Sequence, residues 1–166
     1  MLVFRPASGG LKGFFAFAAL LLATSPAHAE PTDGDLREAS FECAAGHAAL
    51  VDIRARLAIT YQGIADQACV AFAPISSREG FSRLALVLMP FDSQTHLQIY
   101  AKRTDGGWTD LTPSVPTIIY DHATDRLQIA PLRTRDLPTL FVLRNGSQIA
   151  LVFDRAHLSY QAIPLK

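Results

Sequence analysis

Two cysteines, two methionines and one tryptophan in 166 residues leave this chain poor in the side chains of soft-metal and redox chemistry. Met1 is the start residue, so Met89 stands alone and a copper site built from methionines is excluded. Cys43 and Cys69 are too far apart in sequence for a C-x-x-C redox motif. Neither has a histidine at zinc-ligand spacing. An excess of either charge is also missing, with 15 basic and 15 acidic residues. A nucleic-acid binder needs a basic footprint, and docking on anionic lipid needs a polybasic segment. The motif inventory is equally thin. The chain has no G-x-S-x-G elbow, no H-E-x-x-H, no Gly-rich phosphate loop and no EF-hand loop. No internal repeat, low-complexity tract or second-domain linker interrupts it.

The first 29 residues report an address. Arg5 and Lys12 form a basic start, Phe14 to Ala23 is an unbroken apolar run, and Ala27-His28-Ala29 offers small residues at a cleavage site. That order is the layout of a secretory signal peptide. The run is too short for the roughly 20 residues that span a bilayer. Cleavage after Ala29 gives a chain from Glu30 with 13 basic and 15 acidic residues and no second long apolar stretch. The expected product is a soluble, periplasmic or secreted protein with no membrane span. The expected organisation is a signal peptide over 1–29, a mobile polar leader over 30–40 and one domain over 41–166.

In an oxidising compartment a lone pair of cysteines reads as one disulfide, Cys43 to Cys69. It closes a loop worth roughly 3–4 kcal/mol in the chain-entropy model. Arginine outnumbers lysine eleven to two after residue 29. Base composition of the genome is the expected reading of that bias, and a set of forked guanidinium donors the functional alternative. Arg133 and Arg135 are the best local candidates for forked donors to a carboxylate or phosphate.

Hydrophobic periodicity gives about ten short strands. Phe41-Glu42-Cys43 reads as the first. Val51, Ile53, Ala55, Leu57, Ile59 and Tyr61 fall at every second place, which predicts a half-buried strand. A helix through Leu50, Ile53 and Leu57 fits some of the same residues and ranks second. Cys69 to Ala73 is a short strand, and Ile75 to Ser82 a loop. Leu84 to Met89 is continuously apolar, as in a strand buried on both faces. Leu97, Ile99 and Ala101 alternate with His96, Gln98, Tyr100 and Lys102, and Trp108 opens the return strand after Gly106-Gly107. Thr117 to Asp121 and Arg126 to Ala130 read as a second hairpin. Asn145-Gly146-Ser147 between two apolar runs is the strongest hairpin signal, and its match to a glycosylation acceptor is secondary. Leu158 and Tyr160 mark a last strand. With no convincing helix after residue 29, the expected fold is all-β, a single small antiparallel sandwich or barrel.

Tyr100 lies out of phase with its apolar neighbours, and Trp108 is near it across a hairpin. With Lys102 and Arg103 beside them, they form the candidate partner-binding surface. The structural reading of the two rings is a cover over the end of the core. His47, His96, His122 and His157 are not spaced for a shared metal, and no cofactor or metal is expected. Asp105, Asp110, Asp121 and Asp125 are candidates for carboxylate pairs, although aspartate is first a turn former.

Phe41-Glu42-Cys43, a later cysteine and an all-β body resemble the small periplasmic lysozyme inhibitors over the first strand and the size class. That family's inhibitory Ser-Gly-x-Arg/Lys-Tyr loop has no counterpart here, so no functional residue is carried over. The expected function is binding to another envelope or extracellular protein, as inhibitor, accessory subunit or assembly factor. The alternatives are a small secreted hydrolase using Asp121, His122 or His157, and a barrel holding a small apolar ligand.

Overall fold

A computed structural model describes residues 36–43, 48–75, 80–114, 116–131 and 137–165. The expected signal peptide over 1–29, the start of the expected leader, His47, Arg133 and Arg135 lie outside the described residues. The fold is all-β: the described residues form ten strands in two antiparallel sheets, with one α-helix among them. In chain order these are β1 (Arg37–Glu38), α1 (Ala48–Thr60), β2 (Cys69–Ala73), β3 (Phe81–Phe91), β4 (Gln94–Arg103), β5 (Trp108–Asp110), β6 (Ile118–Ile119), β7 (Asp125–Ile129), β8 (Leu140–Arg144), β9 (Ser147–Asp154) and β10 (Ser159–Leu165).

In the two sheets consecutive strands pair from β2 to β5 and from β7 to β10, as short connections favour, while β1 reaches β7 by a long crossover. One runs β2-β3-β4-β5, with β6 also on β4; the other runs β1-β7-β8-β9-β10. Alternation assigns their faces. Leu84, Leu86 and Leu88 of β3 and Leu97, Ile99 and Ala101 of β4 share one core with Leu127, Leu140, Val142, Leu151 and Tyr160 of the other sheet. The space between the sheets is therefore filled by apolar side chains.

The sheets also touch at both edges. Glu42 exchanges two backbone hydrogen bonds with Val70 at 2.9 Å, so the segment leaving β1 crosses onto β2. At the opposite edge the Tyr160 N–H donates to the Leu111 carbonyl at 2.8 Å. The disulfide follows from the first contact. Beside a hydrogen-bonded antiparallel pair comes a closer, non-hydrogen-bonded one. Cys43 and Cys69 occupy that place, with Cα atoms 4.1 Å apart, and are bonded.

Residues 48–60 form a helix, not the strand that alternation predicts. The buried residues Leu50, Ile53, Arg54 and Leu57 recur at helical spacing, and Tyr61 and Ile64 continue the inward face. Val51, Ala55 and Ile59 lie on the outer side, which is why apolar residues fall at every second place. Ala, Leu and Arg supply the helix propensity, and Gly63 at φ +86° follows its end. The helix packs on the face of the first sheet that carries Val70, Ala85, Val87, Met89 and Tyr100. That second cover explains the unbroken Leu84–Met89 run: even-numbered residues face the opposite sheet and odd-numbered ones face α1.

Three other expectations are corrected. The leader ends sooner, because Arg37 and Glu38 already pair with β7. Phe41 to Cys43 contributes a single bridge at Glu42 instead of a strand. The 117–121 and 126–130 runs are not a hairpin. β6 pairs with β4 and β7 with β8, and the Asp121–Asp125 turn hands the chain from one sheet to the other.

Candidate functional site

The residues picked out around the 100–108 hairpin fall at the junction of α1 and the first sheet. Tyr100 is only 2 % exposed, a correction to its expected surface position. The strand face that looks polar in sequence is the face that α1 covers, and its polar groups find partners there. Lys102 forms an ion pair with Asp52 of α1. Its ammonium also stands 5.9 Å from the centre of the Trp108 ring, within cation–π range. Trp108 is half-buried against the same cluster, so both rings cover core. Arg103 is exposed and donates to Asp105 at 3.0 Å.

Further along β4 the Tyr100 hydroxyl donates to Gln98 Oε1, and Gln98 Nε2 donates to the Tyr61 hydroxyl, both at 3.0 Å. Burial, then the nearby Asp110 carboxylate, pushes the Tyr100 hydroxyl far above the ordinary tyrosine range. It is a neutral hydrogen-bond donor at every physiological pH. Helix α1 thus runs alongside β4 in the opposite direction, held by Asp52–Lys102 near its start and by Tyr61–Gln98 just past its end.

At that second end lies a groove of about 550 Å³. Tyr61, Phe91 and His96 make a wall of three rings. Successive centroids are 5.4 Å and 4.8 Å apart. Gln98 and Thr112 line it, and Asp110 stands at the rim. The turn that places Asp110 is local: Asp110 Oδ1 accepts the Thr112 N–H at 2.9 Å, and Thr112 Oγ1 accepts the Ile99 N–H between β5 and β6. Among the described residues, Asp110 Oδ2 and the His96 ring nitrogens have no hydrogen-bond partner. Tyr61, Phe91, Gln98 and Thr112 escape sequence reasoning as site residues. The one signal for them is Gln98, an amide set between two buried apolar residues of a strand.

The four aspartates are engaged in turns and in an ion pair. Asp105, Asp110 and Asp121 each accept a backbone N–H two residues on, the turn-forming role. Asp125 is fully buried and accepts from Arg144 Nε at 2.8 Å and from the Asp121 N–H at 3.0 Å. Burial acts to raise its carboxyl. The bonds from Arg144, Asp121 and Thr124 outweigh that and leave it below the ordinary aspartate range. Arg144 also donates to the Ile119 carbonyl, so this ion pair joins the two sheets. His122 packs edge-on against Tyr120, 5.5 Å between ring centres. His157 Nδ1 lies 2.6 Å from Asp154 Oδ2, on the exposed turn between β9 and β10.

Among the described residues no three His, Cys, Asp or Glu side chains gather as a metal site. No helix there is long and apolar enough to cross a membrane. Comparison with known proteins finds no matching family model, no similar curated protein and no similar solved structure.

Proposed function

We propose that this chain is an exported β-domain that binds a protein partner in the cell envelope or outside the cell, with the outer side of α1 as its contact face. One observation carries the reading. Val51 and Ile59 are 59 % and 74 % exposed, and with Ala55 between them they make an apolar stripe four residues apart. A helix with apolar residues at such spacing on its free side is suited to docking. The half-buried Trp108 and Lys102 flank the stripe near Asp52, and Arg103 lies beyond them. The Cys43–Cys69 bridge suits an oxidising compartment, which supports export.

The test is affinity capture from the native host envelope, run in parallel with the purified protein and with a V51S/I59S variant. Neither position is buried, so the variant keeps its fold, which circular dichroism checks. One stoichiometric protein retained by the parent and lost by the variant is the expected result. Equal capture by both overturns α1 as the contact face, and capture by neither overturns the binding reading.

A further inference from the structure

We propose that the groove at the end of α1 receives a basic side chain of the partner, the guanidinium of an arginine above all. This rests on the protein-binding reading and names the chemistry at one end of the same surface. The groove has aromatic walls and one unsatisfied anionic atom. Rings present negative faces, and a cation over them is attracted most where water is reduced. Tyr61, Phe91 and His96 provide three rings in sequence, each within about 5.4 Å of the next. Asp110 sits on the rim with one oxygen held by Thr112, so the carboxylate is oriented and its other oxygen is free for an incoming donor.

Among the described residues the ionisable groups lining the groove are Tyr61, His96 and Asp110, with no lysine or arginine. Asp110 is the one carboxylate among those described residues, and Arg56 of α1, near enough to act on the Tyr100 hydroxyl, donates to Thr60. Lys102, the cation on the same strand, is turned to Asp52 and Trp108 at the other end of the helix. A guanidinium fits better than an ammonium. It is flat, stacks on a ring, and still presents a fork of N–H donors to a carboxylate. Gln98 cannot compete for the carboxylate, because both ends of its amide are held by tyrosines.

The experiment is an NMR titration of the purified protein with arginine amide. Both amino-acid amides are used Nα-acetylated, so that citrulline amide serves as the neutral isostere, and N-acetylglucosamine as a hydroxyl-rich probe. Saturable shifts confined to Tyr61, His96, Gln98, Asp110 and Thr112, produced by arginine amide alone, are expected. Asp110→Asn keeps the acceptor for Thr112 and so keeps the turn. It weakens binding about tenfold, the cost of losing one charged hydrogen bond. Phe91→Leu weakens it independently. Equal binding of citrulline amide, or of the sugar with no effect of Asp110→Asn, overturns the proposal in favour of a neutral ligand. No saturable shift with any probe overturns it outright. Either failure leaves the V51S/I59S capture result standing, so loss of the groove reading is distinguishable from loss of the docking face.

Discussion

Gln98 on β4 donates its amide to the hydroxyl of Tyr61, just beyond the end of α1, across 3.0 Å. The two residues are 37 apart in sequence, and the bond fixes where the helix ends on the sheet. Their contact brings Tyr61 over β4, and with it the first ring of the groove.

The same relationship makes the helix testable by substitution. Leu57 is 1 % exposed on the inner side of α1, and Ile59 points outward. Leu57→Ala costs about 2–5 kcal/mol, the range for a buried large-to-small change. Ile59→Ala stays within about 0.5 kcal/mol, as exposed substitutions do. Urea unfolding of both variants checks this; equal costs would restore the half-buried strand.

Arg144→Ala leaves the Asp125 carboxylate buried without its cation. The expected loss is about 3 kcal/mol, the lower end for a broken buried pair because Arg144 is itself partly exposed. Thermal or chemical unfolding against the parent measures it.

Asp125 also sets a pH dependence. Its carboxyl is depressed in the folded state, so its contribution is fully present above the unfolded value of about 3.9. It disappears as pH falls through the lower folded value. Unfolding free energy therefore drops more steeply below about pH 4 in the parent than in Asp125→Asn, which lacks that titration. Parallel slopes for the two proteins would count against the effect.

Replacing Cys43 and Cys69 by serine opens a cross-link spanning 26 residues. The chain-entropy relation puts the loss at about 3–4 kcal/mol. Reduction of the parent should match it. Both are read as the midpoint of urea unfolding.

The features legible in sequence are those encoded locally. The Asn145-Gly146 turn between β8 and β9 has both residues at positive φ, as its composition predicts. The Leu84–Met89 run is buried on both sides, and Cys43 meets Cys69. The helix was masked because Val51, Ala55 and Ile59 put apolar residues on its free side and erased the one-sided pattern. Once the helix is read as a strand, Tyr100 and Lys102 look exposed, since their cover is missing. The unbroken run at 84–89 held the corrective clue: two sheets alone cover only one of its faces. The groove was beyond reach for another reason. It joins Tyr61, Phe91, His96 and Asp110 from separate stretches, and none of them carries a local motif.

The contacts that join the two sheets have a consequence for crowded compartments. A sheet edge is where a foreign strand adds on and where one copy can recruit the next. Here each sheet already has its neighbour at the edge, through Glu42–Val70 on one side and Leu111–Tyr160 on the other. Along β10, the parity set by Tyr160 turns the backbone of Pro164 toward the free side, where proline has no N–H to offer. A strand arriving from outside finds a short and interrupted row of donors, a feature that works against growth of the sheet from one molecule into another.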